Sequence, residues 1–499
     1  MAAFVAAFFI AAGFLFRADF MFSDISGLYL SMLARAVAFA LAQSCASVIV
    51  ATLAALIIAF SVLRAPARWQ RRYLESLRLV GLVIFFAPSL VAALAYLKWT
   101  EILTWLPNFG WVPIVLVHAA LNVLFLAHAF AAVMIQESEA GHRLFEVAQV
   151  FRISKWRFYY HALAVPLRRE MLRWWPLIFW WSFSSFTTVL VLGGGPKYST
   201  PEVLLFYLVG AGDRPARVWL LSLLQMALGL LALRWARRHR GELSVPGAPL
   251  EVPPLMAPAL GTGEKLLRTI GVVLATLAAL FWLPALVQAL RSLGTTFAWA
   301  QAAAPLGISI SIVWRALVIG AVLVALGTWM RSKVSHRVSD ALVISPMVWV
   351  ALVTPSEWFL STTLSARLWL SAALCVWSTL PMLALWVYSR REELDARARD
   401  TQTVFRAGAW YRWRFWIAPF LLMPVVSYFQ ILLLAVLGDV GIVSAILGST
   451  SPALSQTVYA QISAYRFDVA FTLFGYLVLL TLPFWGVLVW LRRRYEESR

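Results

Sequence analysis

WVPIVLVHAALNVLFLAHAFAAVMI, Trp111 to Ile135, runs for 25 residues without an Asp, Glu, Lys or Arg. As a helix it reaches about 37 Å, enough to cross the ~30 Å hydrocarbon core of a bilayer. Apolar blocks of this kind recur on both sides of it. Before it come Ala2–Phe16, Val37–Leu63 and Val80–Leu97; after it come Trp174–Leu192 and Trp219–Leu233. A second set follows at Leu266–Leu290, Ile308–Trp329, Ala341–Val353, Trp369–Tyr388, Ile417–Leu437 and Val469–Leu491. Pro346 and Pro355 interrupt or bound the ninth block, which neighbouring helices tolerate by re-satisfying the freed carbonyl. The 499-residue chain is 62% hydrophobic and 13% charged, where a soluble domain carries roughly a quarter charged residues. The fold class is therefore an all-α membrane protein, with about 12 transmembrane helices expected in two parallel six-helix repeats.

The formal net charge of +19 does not point to nucleic acid, because the cations are not gathered on one face. They sit in the gaps between blocks. The gaps 64–78, 136–173, 234–268, 331–337, 390–414 and 492–499 hold 32 of the 42 Lys and Arg. That bias orients the chain with these gaps, and both termini, in the cytoplasm of a bacterial inner membrane. The first block lacks a basic leader and a small-x-small cleavage site, so it reads as a short first span rather than a signal peptide. Cys45 and Cys375 each lie inside an apolar block, where a cysteine is a small apolar residue and not half of a disulfide framework. The Pro- and Gly-rich stretch Gly241 to Lys265 reads as a linker. It divides the chain into a first half, residues 1–240, and a second half, residues 266–499.

Two of the basic loops repeat one another. EVAQVFRISKW, Glu146 to Trp156, and DTQTVFRAGAW, Asp400 to Trp410, share an opening acid, Val-Phe-Arg and a closing Trp at a spacing of 254 residues. A proline follows each, Pro166 and Pro419. Similarity at that spacing, flanked by an even number of spans, implies parallel repeats about an axis along the membrane normal. Arginines and exposed aromatics such as Phe151, Arg152, Trp156, Phe405, Arg406 and Trp410 suit a protein–protein anchor. They equally suit a segment lying on lipid headgroups. Duplication favours two docking sites for two copies of one cytoplasmic partner.

At these loops the chain resembles the permease family of type I ABC importers, whose mark is an E-A-A-x-x-x-G loop followed about a dozen residues later by proline. Glu146, Ala148 and Pro166 fit the first copy; Asp400, Gly408 and Pro419 belong to the second. Arg152 and Arg406 stand where the family's glycine stands, so the local turn departs from the family pattern. The stretches Ser182 to Val209 (SFSSFTTVLVLGGGPKYSTPEVLLFYLV), Gly438 to Ser449 (GDVGIVSAILGS) and Tyr459 to Arg466 (YAQISAYR) are similar to segments of thiamine-type permeases. The resemblance implies coupling loops at about 140–167 and 394–420 that dock two copies of an ABC ATPase subunit. It implies ATP and Mg on those partners, none on this chain, and a periplasmic or lipid-anchored binding protein that delivers thiamine or its phosphates. Ferric iron or another small solute is the alternative cargo within the family.

The residues themselves exclude an enzyme reading: neither a G-x-x-x-x-G-K-[ST] motif nor a His, Asp and Cys constellation occurs. Gly193-Gly194-Gly195-Pro196 follows an apolar span and lacks the strand and Lys-Ser of a phosphate loop, so it reads as an irregular outer turn. Asp439, between Gly438 and Gly441, is an ionisable group at membrane depth. With Gly193, Gly194, Gly441 and Arg466 it forms the expected pathway or gate set, and Arg466 or Arg315 are its expected ion-pair partners. His118, Asn122 and His128 share the fourth block; too few ligands lie nearby for zinc, and interhelical hydrogen bonding is expected. The rival class is a twelve-span secondary transporter, which needs intramembrane acids and gives the duplicated loops no task.

Overall fold

A computed structural model describes residues 27–85, 88–150, 164–210, 262–293, 296–329, 362–383, 418–448 and 450–497, with scattered helical positions between 218 and 231. Every regular element among the described residues is helical. In chain order these are α1 (Gly27–Leu63), α2 (Ala67–Phe85), α3 (Ser89–Ile102), α4 (Trp111–Val150), α5 (Val165–Phe183), α6 (Thr187–Leu192), α7 (Pro201–Gly210) and α8 (Thr262–Leu280). There follow α9 (Leu283–Ser292), α10 (Thr296–Trp329), α11 (Leu364–Leu383), α12 (Ala418–Gly438), α13 (Gly441–Leu447), α14 (Leu454–Ser463) and α15 (Phe467–Glu497).

Four stretches among the described residues are long and apolar enough to cross a bilayer: Tyr29–Leu63, Trp111–Gln136, Thr262–Ser292 and Trp299–Leu326. Pro424–Gly438 and Gly441–Leu447 make a fifth if taken together across a 57° bend. The blocks Ala2–Phe16 and Ala341–Val353 lie outside the described residues, as does part of Trp219–Leu233. The decisive run at Trp111 is a helix, and a longer one than expected. α4 has 40 residues, roughly 60 Å at 1.5 Å per residue. Its last turns, which carry Glu146 and Ala148, therefore continue beyond the depth of one bilayer.

Two expected spans are broken. Val80–Leu97 divides at Pro88, where α2 stops at Phe85 and α3 starts at Ser89. Proline disfavours helix in the residue before it and offers no N–H to continue the ladder. α2 is accordingly a two-faced helix, with Leu74, Leu77 and Ile84 buried and Arg71 and Arg72 exposed. Trp174–Leu192 divides at Ser184-Ser185-Phe186 into α5 and α6. There the Ser184 hydroxyl donates to the Trp180 carbonyl at 2.8 Å, a local bond that competes with the helical ladder.

Two apolar cores result. One lies mainly in the first half, where Ala55, Ile58, Leu124, Phe130 and Ile178 bring α1, α4 and α5 together and Ala275 of α8 joins them. The other straddles both halves and joins Leu90, Leu192 and Leu205 to Val440, Ile446, Leu454 and Phe471. The halves are also exchanged at one flank. α8, the first described helix of the second half, lies along α1. Gly271 permits that approach, since a Cβ there would sit 2.5 Å from the Ile57 carbonyl oxygen; small residues serve this purpose between membrane helices. The opposite face of α8 exposes Leu266, Ile270, Val273 and Leu277, as a lipid-facing surface does. α9 packs on α3, and the Trp99 indole donates to the Phe281 carbonyl at 2.8 Å.

Arg64 meets Glu264 at 3.1 Å where α1 and α8 end side by side. Because this pair is partly solvated, its removal is a small perturbation. Glu264→Gln is expected to cost under about 1 kcal/mol, read as a shift of a few degrees at most in the thermal midpoint in detergent.

Candidate functional site

The spacing of 254 residues that relates the two basic loops continues through the helices that follow them. α5 and α12, α6 and α13, and α7 and α14 each begin and end within one residue of that spacing. Both copies open with proline in the first turn, Pro166 in α5 and Pro419 in α12, where its missing N–H costs nothing. Both then break, give a short helix of six or seven residues, and turn on a left-handed glycine. Gly194 has φ +68° and Gly448, 254 residues later, has φ +64°. A side chain at either would be strained.

The breaks are tethered alike. In the first copy the Thr200 hydroxyl donates to the Ser185 carbonyl at 3.0 Å. In the second the Ser455 hydroxyl donates to the Asp439 carbonyl at 2.7 Å. A helix end at membrane depth leaves carbonyls that water cannot reach, and each hydroxyl, from the start of the next helix, satisfies one. The short helices then reach across the molecule: α6 packs on α14, and α13 packs on α7. This reciprocal exchange places the two breaks at the junction of the halves.

Of the expected gate residues, Asp439 and Gly441 lie in the second break. The Asp439 carboxylate accepts from the Ile442 amide at 2.7 Å and caps α13, with its charge against the positive helix terminus. The expected ion pairs are absent. Arg315 instead bonds Ser311 and lies over the rings of Trp314 and Trp369 at 5.0 and 5.4 Å. Arg466 is exposed in the turn after α14. A carboxylate two residues before a helix finds amides close at hand, and these prevail over a distant cation. Gly193 ends α6 and is buried, with the Val189 and Tyr198 carbonyl oxygens 2.5 and 2.9 Å from where its Cβ would be.

Sequence reading missed three members of the site. Gly448 and Ser455 show themselves only when the second copy is laid on the first. Gly438 shows itself only in the packing: its missing Cβ would collide with the ring of Pro88, 2.9 Å from Cγ and 3.0 Å from Cα. The break between α2 and α3 thus seats directly on the break between α12 and α13.

Among the loop residues, Glu146 and Ala148 are in the final turns of α4. Phe151, Arg152, Trp156, Asp400, Phe405, Arg406, Gly408 and Trp410 lie outside the described residues. His118 makes the expected interhelical bond, its Nδ1 lying 3.0 Å from Gln43 Oε1 of α1. Among the described residues no group of three or more His, Cys, Asp or Glu side chains is arranged to hold a metal.

The chain is 31% identical over 198 residues to the thiamine transport system permease protein ThiP of Salmonella typhimurium, covering 36% of each. The corresponding protein of Escherichia coli is 29% identical over 191 residues, covering 35% of each. This chain resembles the permeases of thiamine transport. The match spans about a third of the length of those relatives. No protein-family model and no solved structure matches the chain. Permease-like sequence and long apolar helices together describe a multi-pass membrane protein, and the relatives are transport permeases by name.

Proposed function

We propose that the chain is the transmembrane subunit of an ATP-driven ABC importer, and that its cargo is thiamine or a thiamine phosphate. The observation that carries this reading is the likeness to the two thiamine transport permeases. The paired broken helices support it, since a body built from two related halves with a break in each can alternate between two openings around its junction. In this reading the molecule is two six-span halves with both termini in the cytoplasm of a bacterial inner membrane. Two copies of an ABC ATPase bind the loops at about 140–167 and 394–420, and ATP with Mg stays on those subunits. A periplasmic or lipid-anchored binding protein presents the cargo. Glu146, Phe151, Arg152, Trp156, Asp400, Phe405, Arg406 and Trp410 form the docking surfaces.

The test is co-purification in mild detergent followed by transport in liposomes. A nucleotide-binding subunit is expected to travel with the native chain. Glu146→Lys combined with Asp400→Lys is expected to lower its recovery at least about tenfold, as a reversed charge does at an interface anchor. ATP-dependent uptake of labelled thiamine should fall in step, with labelled ferric iron as the competing cargo. Uptake that continues with the ATPase subunit absent, driven by an ion gradient, would end this reading in favour of a secondary transporter.

A further inference from the structure

The first half contains a buried polar bridge across three helices. Gln43 of α1 is fully buried. Its amide nitrogen donates to the Ser182 carbonyl in the last turn of α5 at 2.5 Å. Its amide oxygen faces His118 Nδ1 of α4 at 3.0 Å. The Ser182 carbonyl can only accept, so the amide is oriented with its oxygen towards the imidazole, and His118 Nδ1 is the protonated nitrogen. One carboxamide thus ties three helices together two residues before the break at Ser184. A second bond, from the Trp175 indole to the Thr52 hydroxyl at 3.0 Å, holds α5 to α1 two turns lower.

The matching helices of the second half are joined differently, by the buried Thr379 hydroxyl donating to the Tyr428 hydroxyl at 3.4 Å. At the spacing of 254 residues, His118, Asn122 and Ser182 correspond to Ala372, Val376 and Val436, all buried. α12 nevertheless breaks where α5 does. The break itself therefore does not require a carboxamide bridge. A buried polar group repays its desolvation poorly compared with apolar packing, so stability alone does not account for Gln43.

The helices joined by Gln43 are the two that flank the first basic loop: α4 runs into it and α5 runs out of it. Resting on the importer reading above, we propose that Gln43 is a positioning residue that latches α4 to α5 at the end far from the loop. The latch makes them one lever, so that displacement of the loop is delivered to the break at Ser184–Phe186. Without it, the loop can move while the break stays still.

The experiment measures labelled thiamine taken up per ATP hydrolysed, in liposomes that hold the chain with its co-purified nucleotide-binding subunit. Gln43→Leu with His118→Leu removes both side chains of the bridge together. Its yield and thermal midpoint are expected near those of the native chain, because both side chains go together and the Ser182 carbonyl keeps the Ser185 amide at 3.3 Å. Its uptake per ATP is expected to fall about tenfold, within the range of ordinary coupling energies, while ATP hydrolysis continues. Gln43→Met, which keeps length and volume, is the second variant should the double one fail to fold, and the same drop is expected. Asn122→Leu, which loses only a bond to the His118 carbonyl of its own helix, should retain the native ratio. A native ratio in whichever Gln43 variant is recovered folded overturns the latch. Absence of ATP-dependent uptake by the native chain defeats the importer reading instead.

Discussion

Gly438→Ala is expected to deplete the folded protein from the membrane, whereas Gly486→Ala and Gly307→Ala leave it intact. The new methyl at 438 would collide with the Pro88 ring, with Cγ at 2.9 Å and Cα at 3.0 Å. A proline ring is fastened to its own backbone at both ends and has no flexible tip to withdraw. Gly438 is likewise fixed, as the last residue of α12 before a 57° bend. Relief must come from separating two chain breaks that belong to opposite halves. Overpacking of this kind costs about 1–3 kcal/mol and occasionally more; the upper part of that range applies, because both colliding groups are backbone-fixed. At 1.4 kcal/mol for each factor of ten, the folded-to-unfolded ratio of a marginally stable membrane protein falls by roughly one to two orders of magnitude. Nothing lies within 4 Å of a Cβ at Gly486 or Gly307, so those variants control for the substitution itself. Size-exclusion profiles in detergent and thermal midpoints give the comparison. If the alanine at 438 behaves like the alanine at 486, the two breaks do not rest on one another.

Asp439 separates two roles for an acid within the membrane. As the cap of α13, it needs an oxygen acceptor at the distance of the Ile442 amide, and asparagine supplies one. Asp439→Asn is therefore expected to transport at close to the native rate. Asp439→Ala loses the acceptor, at a cost of about 1–2 kcal/mol, and leaves amides unsatisfied where water is scarce. Its uptake and its thermal midpoint should both fall. If asparagine proved as damaging as alanine, the negative charge itself would be required and the capping account would fail.

Hydropathy made the membrane class legible from Trp111–Ile135 alone, because hydrocarbon thickness fixes the length of an apolar run. It also placed the body of α1, α10, α11 and α12. It did not show the breaks. Ser184 and Ser185 scarcely lower the mean hydropathy of the block around them, yet the helix ends there. Pro88 was visible, but its block was read across it because apolar residues continue on both sides. The pairing of Asp439 with a distant arginine followed from charge alone, and two nearby amides prevailed. The more informative signal was the spacing of 254 residues. Carried forward from the basic loops, it leads from Gly194 to Gly448 and from one broken helix to the other.

The exchanged arm α8 has a consequence for the membrane around it. Lying on α1 with Gly271 against the Ile57 carbonyl and its other flank bare, it covers the seam between the halves on that side. Acyl chains meet a continuous helical wall there rather than a cleft. In the importer reading, a shift of the halves would slide this contact rather than open it.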